Sequence, residues 1–137
     1  MDDRNIPLFL ADYQQYPQVE KVWGREYWLE NNDSYCAKLL HVRAGYQCSL
    51  HYHKIKDETF LVIEGAVTLE TTLARHLQPR ILYAGQKTRI HPYIAHRFTG
   101  LAPSGAVILE VSTHHDDADV VRLEESKKIC LTDSTKD

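Results

Sequence analysis

At 137 residues, with 16 basic and 19 acidic side chains and a formal charge of −3, the chain has the size of one domain with a real core. It lacks the net positive charge that draws a protein to nucleic acid or to an anionic membrane. Three cysteines (Cys36, Cys48 and Cys130) at no zinc-type spacing, no apolar run of bilayer-spanning length, and no basic stretch followed by an apolar core at the N-terminus predict reduced thiols in a cytoplasmic protein, with neither nucleic acid nor membrane as partner.

Residues 1–20 read as an N-terminal arm, a short helix or an extended segment between Pro7 and Pro17. Its Phe9, Tyr13 and Tyr16, with Trp23, offer apolar surface, so a homodimer is expected in which roughly the first 20 residues touch the other chain. Residues 21–30 favour a strand, 31–33 a turn and 34–44 a second strand, after which Gly45 turns the chain. Further strands fit residues 58–73, 80–83, 87–91, 94–99 and 106–113, with turn signals at Gly65, Pro79, Gly85, Pro92 and residues 102–105. Many short strands with little helical periodicity predict an all-β barrel or sandwich over residues 21–125, followed by a polar C-terminal tail, residues 126–137; the last stretch, residues 116–137, is expected to form a short helix or edge strand before its polar end.

The chemistry is concentrated in GYQCSLHYHKIKDETFLVIEG, residues 45–65. On a strand, His51 and His53 point to the same face and can share one ion. Glu58 follows a four-residue turn and joins them if the two strands pair as an antiparallel hairpin; His96, after the Pro92 turn, suggests a fourth ligand. Three imidazoles and a carboxylate suit one divalent first-row cation (Mn, Zn, Fe, Co or Ni) with positions left open for water or substrate.

Gly45, His51, His53, Glu58 and Gly65 match the first motif of the cupins at every position, and Gly85, Pro92 and His96 fit the second, in which His91 replaces a common proline and Tyr93 an expected glycine. The resemblance implies a single double-stranded β-helix (jelly-roll) barrel with His51, His53, Glu58 and His96 as metal ligands inside it. Within the cupins, SLHYHKIKDETFLVIEG resembles the active-site phrase of the cupin-type (type II) mannose-6-phosphate isomerases, with Lys56 on their arginine and His51 in place of their glutamine. The spacing His-x-His-x-x-Lys-x-Glu also resembles the D-lyxose isomerases, which carry lysine at that position. Val22-Trp23-Gly24 is similar to the Pro-Trp-Gly that opens the mannose-6-phosphate isomerase domain. ILEVSTHHDDADVVRLEES is similar to its ending, with Glu110 on its glutamate and Asp117, Asp119 and Arg122 near its acidic-basic run.

The resemblance implies a metal-dependent aldose–ketose isomerase acting on a sugar or sugar phosphate through a cis-enediol, with Lys56 and Glu110 as catalytic residues. An Fe(II) dioxygenase with the same ligands and a non-catalytic sugar-binding cupin are the alternatives. In the strand over 106–113, Ile108, Glu110 and Ser112 share one face. If that face lines the barrel mouth, burial raises the pKa of Glu110 and suits it to proton abstraction; if it faces solvent, Glu110 is an ordinary carboxylate. Read structurally instead, Trp23 is core, Lys56 a solvated turn residue, and Asp119 with Arg122 a surface ion pair. If Lys56 instead acts in catalysis, Lys56→Ala leaves metal content unchanged and stability within roughly half a kcal/mol while lowering isomerase turnover by on the order of a hundredfold or more.

Overall fold

The structure is a computed structural model that describes residues 15–73 and 76–129. Among these residues there is no α-helix; strands carry the fold, a 3-10 turn spans Asp117–Asp119, and every strand pairing is antiparallel. The sheet curls over itself into two faces. One face runs β1 (Gln18–Lys21), β2 (Gly24–Asn31), β3 (Cys36–Val42), β10 (Ala106–Ser112), the first half of β6 (Glu58–Leu73) and β8 (Lys87–Ile90). The other runs β7 (His76–Tyr83), the second half of β6, β9 (His96–Gly100), then β4 (Tyr46–Gln47) and β5 (Leu50–His53), with β12 (Lys127–Lys128) on β4 and β11 (Val120–Glu124) on β5.

Period-two alternation explains the core. Leu40 and Val42, Phe60 and Val62, Val67 and Leu69, and Ile108 are alternate residues of their strands, and all are buried in one cluster with Trp23, Leu82, Ile90 and Phe98. Each such side chain contributes about 1.5–3 kcal/mol by leaving water. The same alternation carries Lys38 and Glu110 inward, since each occupies an alternate position beside Leu40 or Ile108.

The strand expected over 58–73 forms with those bounds, but Gly65 does not end it. The chain bends there with φ +76, and the register against β10 slips so that Val62 and Glu64 oppose Ile108 and Val107 while Ile63 has no partner. A Cβ at Gly65 would strike the Gly105 carbonyl oxygen, so only glycine fits the bend that lets one strand serve both faces. Pro79 is likewise no turn: it lies inside β7 opposite Glu70, and because β7 pairs with β6 alone, a residue without an N–H is tolerated.

Three further expectations need correction. β5 does not form a hairpin with β6; it pairs with β9 and β11 on the opposite face. Residues 18–20, assigned to the arm, begin an edge strand that turns through Val22 and Trp23 to pair with β2. Trp23 lies in the core against Phe98, ring centroids 5.2 Å apart and nearly perpendicular, and therefore offers no dimer surface. Phe9 and Tyr13 lie outside the described residues; Tyr16 is exposed. The stretch from residue 116 forms a 3-10 turn and then two strands, β11 against β5 and β12 against Tyr46 and Gln47. Cys36 and Cys48 are buried free thiols, as expected, and burial pushes the Cys48 thiol up to about 12; Cys130 is outside the described residues. No helix among the described residues is long and apolar enough to cross a membrane.

Candidate metal centre and active site

The second face brings the histidines together by register. His51 of β5 lies directly opposite His96 of β9, and His53 follows two residues along the same side of β5. The ring nitrogens of His51, His53 and His96 lie within 4.8 Å of one another. Glu58 reaches them from the opposite face, its Oε2 3.2 Å from Nε2 of His96 and 3.5 Å from Nε2 of His53. The carboxylate thus arrives across the barrel rather than along a hairpin.

Tautomers tell which atoms are available. His96 Nδ1 donates to the Ile94 carbonyl at 2.9 Å and His51 Nδ1 to the Ser49 carbonyl at 3.0 Å, which leaves Nε2 of each as a bare lone pair. Nε2 of His96 and Oε2 of Glu58 are both buried and find no hydrogen-bond partner among the described residues, although they face each other. Two acceptors so placed repel unless a cation lies between them, so the residues present fit a divalent ion. Burial, followed by the neighbouring imidazoles, pushes His51 down to about 3; burial, then Lys56 and His96, pushes His53 down to about 4. Both imidazoles are neutral, the ligating form, at neutral pH.

The turn between His53 and Glu58 is held from outside. Asp119, itself buried, accepts backbone N–H bonds from Lys54, Ile55 and Lys56 at about 3.0 Å. Its Oδ2 also stands 3.9 Å from Nδ1 of His53. It is not the surface partner of Arg122 that the sequence suggested: its carboxylate is occupied by the turn. Tyr93, at the position where a glycine was expected, has φ +69, and its N–H donates to the His53 carbonyl at 2.7 Å. The left-handed turn is kept with a tyrosine in it.

Lys56 is not a solvated turn residue. It is 3% exposed, and its Nζ lies 2.6 Å from Glu110 Oε2, 3.0 Å from His115 Nδ1 and 3.7 Å from Glu58 Oε1. Ile108, Glu110 and Ser112 do face inward, and Glu110 lies opposite Lys38 on β3 and Phe60 on β6. The expected upward pKa shift is reversed. Burial does raise it, but the Lys56 and Lys38 ammonium groups outweigh burial and hold Glu110 well below the usual carboxylate range. Burial would lower Lys56, but Glu110 and Glu58 hold it above its ordinary value.

These groups line a cavity of about 420 Å³ floored by Leu40, Phe60 and Phe98. Three of its wall residues escaped the sequence reading. Lys38 is 2% exposed, with Nζ 3.5 Å from Glu26 Oε1 and 4.1 Å above the Trp28 ring. Glu26 also accepts from Trp28 Nε1 at 3.0 Å. His115 links Lys56 to Asp117, whose Oδ1 is 2.7 Å from its Nε2. Lys38 had a signal, a lone charge in phase with Cys36, Leu40 and Val42; His115, in an irregular loop, had none.

The family model of the mannose-6-phosphate isomerase C-terminal domain matches residues 10–125. Among solved structures, oxalate decarboxylase from Bacillus subtilis at pH 4.6 superposes with a TM-score of 0.72 at 14% identity over 81% of this chain. A structure of the same enzyme described for its Mn(II) centres gives a TM-score of 0.70 at 19% identity over the same share of the chain. The chain spans 31% of the length of these decarboxylases, and at such identity the likeness shows the fold alone. No curated protein matches the sequence. With most of its length under one family model and the two-faced barrel around a histidine cluster, this chain is a cupin and belongs to the mannose-6-phosphate isomerase C-terminal family.

Proposed function

We propose that the protein is a metal-dependent aldose–ketose isomerase that converts a sugar or sugar phosphate through a cis-enediol, with Lys56 and Glu110 as its catalytic residues. The observation that carries this reading is the buried Lys56–Glu110 pair beside Glu58 in the cavity wall. His51, His53, Glu58 and His96 would hold one divalent cation, which when bound supplies positive charge for two adjacent sugar oxygens.

Proton transfer falls to the chain's own residues. Glu110 takes the proton from the carbon next to the carbonyl and returns it to the neighbouring carbon, while the hydroxyl proton passes between the two oxygens; paired with Lys56 it is a weaker base than an ordinary carboxylate, so the transfer relies on Lys56 stabilising the charge that develops on the sugar oxygens. Lys56, between Glu110 and Glu58, offers its ammonium to the negative charge that develops on those oxygens. Its contact with Glu110 holds both side chains in place before substrate arrives, so little reorganisation accompanies reaction. The apolar floor of Leu40, Phe60 and Phe98 keeps bulk water from the reacting carbons.

An isomerisation assay with the metal-loaded protein, run alongside an oxygen electrode, tests the reading. Interconversion of an aldose and its ketose that stops with chelator and resumes with metal is expected, without oxygen uptake. Oxygen consumption with no interconversion would move the assignment to dioxygenase chemistry. Saturable sugar binding with neither would move it to a binding protein.

A further inference from the structure

The charged groups of the cavity are already committed to one another, and from this we infer that the sugar taken here is unphosphorylated, an inference that rests on the isomerase reading above. A volume of about 420 Å³ suits a single monosaccharide. At its inner end the two ammonium groups are both paired: Lys56 with Glu110 and Glu58, Lys38 with Glu26. Glu58 serves as a metal ligand in the reading above, so one carboxylate is left for each lysine, Glu110 for Lys56 and Glu26 for Lys38. A phosphate dianion seated there would set two further negative charges beside Glu110 and Glu26, each already paired with its lysine, in a wall almost out of water.

The mouth is no better supplied. Lys21 lies 3.9 Å from Glu26, and Arg122 is the lining cation without a carboxylate partner among the described residues. Against them stand Glu20, Asp117 and Glu125. One exposed arginine amid three carboxylates makes a poor phosphate clamp, which needs convergent donors. Sugar hydroxyls fit the same wall without disturbing it. A hydroxyl donates to Glu26 or Glu110 and accepts from Lys38 or Lys56 while each ion pair stays intact.

NMR titration of the metal-loaded protein with D-mannose, D-lyxose and D-glucose, and with their terminal phosphate esters, tests this. At least one free sugar is expected to bind at least tenfold more tightly than its own ester, with Arg122→Gln leaving its affinity unchanged. Tighter binding of the esters, or binding of no free sugar, overturns the inference. Turnover of the same compounds separates this from the parent reading. Conversion of esters in preference to free sugars sinks the inference and leaves the isomerase standing, whereas free sugar bound but not converted sinks the isomerase and leaves the ligand class standing.

Discussion

The Nζ of Lys56 and the Oε2 of Glu110 meet at 2.6 Å although the two residues lie on different elements, the turn after β5 and the middle of β10, and neither side chain is more than 7% exposed. The contact reverses the stability expected for a turn lysine. Lys56→Ala leaves Glu110 buried without its ammonium, a loss of about 3–5 kcal/mol rather than a surface effect. Lys56→Met combined with Glu110→Gln should be less destabilised than the two single changes summed. Urea unfolding of the four proteins measures the coupling; strict additivity would show that the pair does not interact.

Asp119 should prove as demanding as a core residue. Its carboxylate satisfies the N–H groups of Lys54, Ile55 and Lys56 at once, and bonds from a charged acceptor are worth about 1.5–3 kcal/mol each. Asp119→Ala is expected to cost more than about 2 kcal/mol and to weaken metal binding, because the turn that spaces His53 from Glu58 loses its anchor. Arg122→Ala should change stability by less than about half a kcal/mol. Equal, small effects from both would restore the surface ion pair suggested by sequence.

That His51, His53, Glu58 and His96 come together was legible because cupin spacing is local: Gly45, His51, His53, Glu58 and Gly65 are fixed by one stretch, and His96 by a second turn. The route by which Glu58 reaches the histidines was not, since pairing of β5 with β9 and β11 rather than β6 is decided by distant strands. The inward face of β10 could be read as an alternation, but the sign of the Glu110 shift depended on which cation lay across the barrel. Asp119 was misread for the same reason: nothing in an acidic run near the end of the barrel tells that one of its members turns back onto residues 54–56.

Acid should weaken the metal-free protein well above the usual carboxylate range. His51 at about 3 and His53 at about 4 lie below the ordinary value of about 6.5, so between these limits the unfolded chain binds more protons than the folded one. Their contribution is complete above about pH 6.5 and declines as the pH falls toward 4, by up to about 2.7 kcal/mol per pH unit where both differ. Glu110, depressed in the fold, adds a loss of the same sign below about pH 4.5. A flat unfolding midpoint between pH 7 and 4.5 would contradict the burial of neutral imidazoles.

One divalent ion per chain is expected in the purified protein, and His51→Ala with His53→Ala should reduce it to the background of the elemental analysis. Removing two of three imidazoles leaves Glu58 and His96, too few ligands for retention. Full occupancy in that double variant would end the metal proposal. The ligand types do not rank manganese, iron, zinc, cobalt and nickel.

Proton transfer by Glu110 to and from a sugar carbon is the step on which the functional account stands, and deuterium wash-in reads it directly. In heavy water the metal-loaded protein should place deuterium on the carbon next to the carbonyl of its aldose substrate. Glu110→Gln, with its metal content unchanged, should lower that incorporation by on the order of a hundredfold or more. Incorporation at an undiminished rate in metal-replete Glu110→Gln, or none in the unaltered protein while sugar is bound, would contradict the account.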